Sequence, residues 1–213
     1  MKNKVDFSLY LVTDRSLMST STLEDGVEAA LKGGCTMVQL REKDISSLLF
    51  YETALKIREI THRYHVPLII NDRVDIALSV EADGVHLGQS DLPAPLARHI
   101  LGPKKLLGVS VSSVQEALKA WEEGADYLGV GAMFPTLTKK NATAVSFEAL
   151  SAIRQAVSIP IVVIGGINAD TSPAFSQCNI DGLAVVSAIL SKKDITGAAC
   201  HLLEIFKGFK NRR

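Results

Sequence analysis

Eight short apolar runs recur along the chain, and their spacing constrains the fold more than any other feature. They are LYLVT (9 to 13), MVQLR (37 to 41), LIIN (68 to 71), GVHLG (84 to 88), LLGVS (106 to 110), YLGVG (127 to 131), IVVIG (161 to 165) and GLAVV (182 to 186). Several are continuously apolar instead of alternating, as in parallel strands covered by helices. Helical patterns lie between them. In LEDGVEAALKGG, Val27, Ala30 and Leu31 make one apolar face before Gly33 and Gly34 stop the helix, and Glu24 or Asp25 serves its first turn. Residues 45 to 65 repeat the pattern, with Leu48, Leu49, Leu55 and Ile60 among the apolar positions and Pro67 marking the next strand. Ser112 followed by Gln115 reads as a capping box for a helix ending at Gly124, with Trp121 expected to pack against the barrel. Two more helical patterns cover 146 to 157 and about 194 to 208. Two links are weak: only DIALSVEA separates runs three and four, and SAILSKKD after run eight reads as a brief helical turn. Strand then helix, eight times and without a linker, predicts an α/β chain forming one (β/α)8 TIM barrel over 1–213, ahead of a doubly wound sheet.

Charge and composition exclude several classes. Lys plus Arg and Asp plus Glu both count 23, so neither nucleic acid nor an anionic membrane is an expected partner, and any anion site has to be local. Cys35, Cys178 and Cys200 show neither disulfide nor zinc spacing and read as small core residues. No stretch offers the roughly 18 apolar residues of a membrane span, and the N-terminus carries no apolar signal region, so a cytoplasmic location is expected.

In this architecture chemistry sits where strands end, and the polar residues cluster there. Gln39, Arg41 and Lys43 lie in QLREK; Asn71 and Asp72 end the third run; Gln89 and Asp91 follow the fourth; Ser110 ends the fifth; Thr136, Thr138 and Lys139 follow the sixth. A carboxylate is not tolerated unpaired in a dry core, so Asp72 either meets cations at the mouth or marks an internal ion pair. Asp72 and Asp91 suit a hard divalent cation such as Mg2+. Equally, they read as turn aspartates or as partners of Arg41 and Arg73. Arg41 offers a bidentate clamp and Lys43 a point charge, which together suit a diphosphate; read alone, they equally make a surface pair on the REKD turn.

The segment MFPTLTKK at 133 to 140 presents hydroxyls and backbone N–H groups; Gly165 and Gly166 permit close backbone approach; and Ser187 starts the turn after run eight. Together they read as a second anion cup, or as a tight turn and a hydroxyl-rich loop. His86, inside a strand, reads as a hydrogen-bonded core or mouth residue and not as a base. Glu42 and Asp44 read as balancing their basic neighbours.

QLREK (39 to 43), INDRVDIAL (70 to 78), ADGVHLGQSDLP (82 to 93), GVS (108 to 110), FPTLTK (134 to 139), IGGI (164 to 167) and AVVSAI (184 to 189) resemble, in order, the signature segments of the thiamine-phosphate synthase family. The resemblance implies a (β/α)8 transferase that joins 4-amino-2-methyl-5-(diphosphooxymethyl)pyrimidine to a thiazole phosphate and releases diphosphate. It implies that Gln39, Arg41, Lys43, Asn71, Ser110 and Lys139, with Leu40 and Glu42 in the same segment, bind the pyrimidine diphosphate. Thr136, Leu137, Thr138, Gly166, Val186 and Ser187 would bind the thiazole phosphate, and Asp72 and Asp91 would hold Mg2+. Arg41, Lys43, Ser110 and Lys139 would carry the catalytic work in a largely dissociative mechanism without a strong base.

The chain departs from the family pattern at Ala132 and Met133, at VSFEAL (145 to 150) and at CNIDG (178 to 182), none of which removes an assigned residue. A thiazole tautomerase-like or regulatory relative is the nearest rival, disfavoured by the joint presence of Arg41, Lys43, Asp72, Asp91 and Lys139. A non-catalytic thiazole-phosphate binding module would bind ligand tightly without product, and a barrel isomerase or aldolase would want a Schiff-base lysine or general base inside the mouth. Homo-oligomeric state and the preferred carboxylation form of the thiazole are left open.

Overall fold

Eight parallel strands close into a barrel in chain order. They are β1 (Leu9–Val12), β2 (Met37–Leu40), β3 (Leu68–Asn71), β4 (Gly84–Leu87), β5 (Leu106–Val111), β6 (Tyr127–Val130), β7 (Ile161–Val163) and β8 (Gly182–Val185). The computed structural model describes residues 5–136 and 144–210. Each apolar run of the sequence is a strand, and the barrel closes by pairing Leu9 with Leu183 and Leu11 with Val185.

Alternation along each strand separates two apolar layers. Leu9, Leu11, Val38, Leu40, Leu68 and Ile70 face outward into the layer beneath the helices. Tyr10, Met37, Ile69, Leu106, Tyr127 and Val162 fill the interior. The runs look continuously apolar because both faces are buried.

The helices are α1 (Leu23–Lys32), α2 (Ser47–Arg63), α3 (Val74–Ser79), α4 (Ala94–Leu101), α5 (Val114–Glu122), α6 (Phe147–Ala156), α7 (Ser187–Leu190) and α8 (Ile195–Lys210). The weak links are short helices, α3 and α7, as expected. A third weak link was not foreseen: β7 and β8 are joined through a 3₁₀ turn at Ser172–Phe175 in place of an α-helix. Asn168 organises that connection, its side-chain oxygen accepting the N–H groups of Asp170 at 2.8 Å and Thr171 at 3.0 Å.

Several helix phases differ from expectation. The Ser46 cap sets α2 so that Phe50, Thr53, Ala54, Ile57, Ile60 and Thr61 are buried, while Leu48, Leu49 and Leu55 are exposed. Threonines at the buried phase hid the true face. The cap of α5 is Ser113, which accepts the Glu116 N–H at 3.2 Å, one residue later than Ser112. That helix seats on Ala117 and Ala120, so Trp121 lies on its flank, 39% exposed, and does not pack into the core. Of the cysteines only Cys35 is buried; Cys178 is intermediate and Cys200 exposed.

Candidate active site

The end of β2 is held by β1. The Arg41 N–H donates to Thr13 Oγ1 at 2.9 Å, and its guanidinium lies 3.4 Å from Asp14 Oδ2. The Lys43 ammonium pairs with the Asp72 carboxylate. Two members of the same segment do not offer their side chains to the mouth. Leu40 packs outward beneath the helices, because it alternates with the inward Gln39. The Glu42 carboxylate, only 4% exposed, is taken by Arg15 at 2.8 Å and does not balance Arg41 or Lys43. Any contribution of Leu40 or Glu42 to a ligand is through the backbone. Thr13, Asp14 and Arg15 were missed in the sequence, although LVTD ends its strand in the same apolar-to-polar step as the others.

Asp72 occupies the left-handed region, at φ +60°, where a non-glycine residue is uncommon; its N–H donates to the His86 carbonyl at 2.9 Å. Arg73 turns away to Asp75 at 2.6 Å and Ser47 at 3.1 Å, so it is not the partner of Asp72. Asp91 Oδ2 accepts the Gly88 N–H at 2.6 Å, and its carboxyl comes within hydrogen-bonding reach of Asp72. Burial first, and then that neighbouring carboxyl, push the Asp91 pKa up, while the Gly88 N–H and Lys43 pull it down. Two acidic groups pressed together at a solvent-reachable rim fit a hard divalent cation, which would relieve their mutual repulsion. Among the described residues no group of three or more His, Cys, Asp or Glu gathers. An ion here would therefore complete its shell with water or with phosphate oxygens.

Below this rim a polar chain crosses the barrel. Gln39 Nε2 donates to Tyr10 Oη at 2.8 Å, the Tyr10 and Tyr127 hydroxyls are 2.8 Å apart, Tyr127 Oη lies 3.0 Å from His86 Nδ1, and His86 Nε2 lies 2.9 Å from Ser110 Oγ. Gly108 makes room for it: a Cβ there would sit 2.2 Å from Tyr127 Cζ and 2.5 Å from His86 Nδ1. Burial pushes both phenols above their ordinary range. His86 is thus the hydrogen-bonded residue expected of it. Nothing in LYLVT or YLGVG marks a hydroxyl network in the sequence. Asn71 ends β3 beside this chain, buried, and its Nδ2 has no hydrogen-bond partner among the described residues. An unpaired buried donor costs about 1–3 kcal/mol and is tolerated where a ligand satisfies it.

On the opposite rim, Gly165 (φ +96°) and Gly166 (φ +66°) fold the end of β7 against the segment after β6. A Cβ on Gly166 would meet Phe134 Cβ at 2.6 Å and Pro135 O at 2.9 Å, and the Phe134 N–H donates to the Gly165 carbonyl at 3.0 Å. The pair therefore makes a tight turn whose backbone lines the gap between β6 and β8. Thr136 is partly buried, Val186 caps α7, and Ser187 is exposed at its start. Leu137, Thr138 and Lys139 lie outside the described residues. The departures are absorbed locally. Ala132 and Met133 are buried, the Val145 N–H bonds the Ala132 carbonyl at 2.8 Å, and Asn179 takes a left-handed conformation (φ +51°) that asparagine adopts more readily than most residues.

A cleft of about 180 Å³ adjoins the acidic pair, lined by Gly88, Gln89, Asp91 and Leu92 with Glu116 and Lys119. A larger one, about 310 Å³, lies between the 168–170 turn, α7 and α8. Size is not the guide here: the larger cleft gathers none of the strand-end donors, whereas the mouth collects cations, carboxylates and an unpaired amide.

Residues 9–189 match the family model described as thiamine monophosphate synthase. The chain is 62% identical to a thiamine-phosphate synthase of Clostridium beijerinckii, covering 97% of this chain and 99% of that one. It is 60% identical to a thiamine-phosphate synthase of Ruminiclostridium cellulolyticum, covering 97% and 98%. Among solved structures, thiamine phosphate pyrophosphorylase from Pyrococcus furiosus superposes with a TM-score of 0.89 at 38% identity, covering 96% of this chain and 98% of that one.

Proposed function

The chain belongs to the thiamine-phosphate synthase family, and from that premise we propose how its barrel mouth carries the reaction. The reaction condenses a pyrimidine diphosphate with a thiazole phosphate to give thiamine phosphate. The single observation that carries the site assignment is the mouth of β2 to β4. It brings Arg41, the Lys43–Asp72 pair, Asp91 and the orphan Asn71 amide together at neighbouring strand ends.

Gln39 gives Nε2 to Tyr10 and so offers Oε1 as an acceptor, while Asn71 offers Nδ2 as a donor. That complementary pair matches the edge of an aminopyrimidine, whose amino group donates and whose ring nitrogen accepts. Arg41 and Lys43 receive the diphosphate and stabilise the charge that grows as it departs, with Lys139 as a third cation and Ser110 as a hydroxyl donor. Asp72 and Asp91 would hold Mg2+, which when bound supplies positive charge to the departing diphosphate. Lys43, paired with Asp72 in the ligand-free chain, would give its ammonium to the diphosphate while Asp72 held the ion. Thr136, Leu137, Thr138, Gly166, Val186 and Ser187 would bind the thiazole phosphate, so that the thiazole nitrogen is aimed at the pyrimidine methylene carbon. The leaving group departs before that nitrogen bonds, so the residues need only position and stabilise. No group at the mouth has to act as a strong base. We further propose that 1–213 acts as one catalytic domain in the cytoplasm.

Purified protein incubated with both phosphorylated substrates, with Mg2+ or with chelator, tests the assignment by mass detection of thiamine phosphate and a diphosphate assay. Equal amounts of the two products in Mg2+ alone are expected. Turnover undiminished by chelator would remove the metal role, and binding of both substrates without product would remove the catalytic one.

A further inference from the structure

The chain of hydrogen bonds inside the barrel has a direction. Each phenol owns one proton, an uncharged imidazole owns one, and an amide nitrogen only donates. Gln39 Nε2 donates to Tyr10 Oη at 2.8 Å, so Tyr10 passes its own proton to Tyr127, 2.8 Å away. Tyr127 then donates to His86 Nδ1 at 3.0 Å, which leaves the imidazole proton on Nε2, facing Ser110 Oγ at 2.9 Å. Ser110, already accepting, turns its hydroxyl proton toward the mouth. The opposite order would make Tyr10 accept twice and strand its proton in a side chain only 1% exposed, with no further partner among the described residues. Both phenols keep their protons, since burial pushes each up.

One motion reverses every link. Turning the Gln39 amide over would present Oε1 to Tyr10, which would donate to it; Tyr127 would donate to Tyr10, His86 Nδ1–H to Tyr127, and Ser110 inward to Nε2. Ser110 would then face the mouth as an acceptor only. The two ends of the chain, Gln39 and Ser110, are therefore set together although they stand on β2 and β5.

We propose that Tyr10, Tyr127 and His86 are positioning residues that couple recognition of the substrate's amino group at Gln39 to presentation of the Ser110 hydroxyl proton. This makes the chain a determinant of specificity for an aminopyrimidine, and it rests on the assignment of Gln39 and Ser110 to the pyrimidine side of the site. A ring bearing an oxo group in place of the amino group asks Gln39 for a donor, turns the amide, and withdraws the Ser110 proton from the leaving group. Rejection of that analogue then falls on turnover as well as on binding. Two glycines protect the geometry, since a Cβ on Gly108 or Gly129 would press on His86 at 2.5 Å or 2.9 Å.

The test has a spectroscopic and a kinetic arm. In ligand-free wild-type protein at mildly alkaline pH, imidazole ¹⁵N resonances are expected to show the His86 proton on Nε2. Tyr127→Phe, which keeps the ring and removes the hydroxyl, is expected to give a mixture of tautomers. A wild-type proton on Nδ1 would overturn the direction assigned to the chain. Kinetically, Tyr127→Phe is expected to lower kcat on the amino substrate about tenfold, the worth of one hydrogen bond. The KM for the thiazole phosphate should not change, and discrimination against the oxo analogue should narrow by a similar factor. Equal losses on both pyrimidines, with discrimination intact, would overturn the coupling. Tyr10→Phe cuts the chain one link earlier and serves if Tyr127→Phe folds poorly. Ser110→Ala and Gln39→Ala with undiminished kcat/KM would instead refute the subsite assignment, while leaving the tautomer measurement to decide on the chain itself.

Discussion

Gly108→Ala is the sharpest test of the packed polar interior. An ideal Cβ would lie 2.2 Å from Tyr127 Cζ, 2.4 Å from its hydroxyl and 2.5 Å from His86 Nδ1. Carbon contacts normally settle at about 3.5–4.0 Å, so something must move by more than an ångström. The strand has no room to retreat, because Gly108 is paired with His86 on one side and Tyr127 on the other. The rings move, and the hydroxyl loses its partners. Overpacking costs about 1–3 kcal/mol and an unpaired buried hydroxyl about 1–3 more, a total of about 2–6 kcal/mol. For a chain of this size that lowers Tm by about 5–20 °C, to be read by circular dichroism during heating. Gly208→Ala is the control: no heavy atom lies within 4 Å of its added Cβ, and the helix should gain up to about 1 kcal/mol. A Gly108→Ala protein that melts with the wild type and retains its kcat would refute the claim that this space is filled by the Tyr127–His86 contact.

Asn71→Leu removes the buried orphan donor, so ligand-free Tm should rise by the equivalent of about 1 kcal/mol while kcat/KM for the pyrimidine falls; a fall in both would mean that Nδ2 has a structural partner. Asp91→Ala should reduce Mg2+-dependent turnover more than thiazole-phosphate affinity measured by calorimetry, and equal losses would contradict the metal role. Because the folded protein holds the Asp91 proton more tightly than the unfolded chain, this group's stabilising contribution is complete at pH below the ordinary carboxylate range and is lost as pH rises through the raised value. In chelator, the Tm of Asp72→Asn should depend less on pH across that window than wild type, since the neighbouring carboxylate is removed; an unchanged profile would leave burial as the whole cause.

The strands were legible because residues buried on both faces have to be apolar at every position, and LIIN or IVV admits little else. Strand-end chemistry was legible for a related reason: the polar residues of QLREK and NDR stand out against such runs. Helix faces were less so, because Thr53 and Thr61 are buried in α2 while Leu48 and Leu49 are not. Pairing was not legible at all. Glu42 lies between Arg41 and Lys43 in sequence yet bonds Arg15 from the turn after β1, and Asp72 precedes Arg73 yet bonds Lys43. Such partners are chosen by the neighbouring strand end, which the order of residues along one strand does not encode. The interior tyrosines show the same limit, since a buried Tyr and a buried Phe make equally good strand residues until their neighbours are known.

In the proposed site, Asp72 and Asp91 would share a divalent cation while Arg41 and Lys43 would grip a diphosphate at the β2 to β4 rim. Crystals soaked with Mg2+ and inorganic diphosphate test it most directly. The expected density places the ion between the two carboxylates, with Lys43 Nζ transferred from Asp72 to a diphosphate oxygen. Diphosphate bound at another rim, or an ion held without either aspartate, would contradict it.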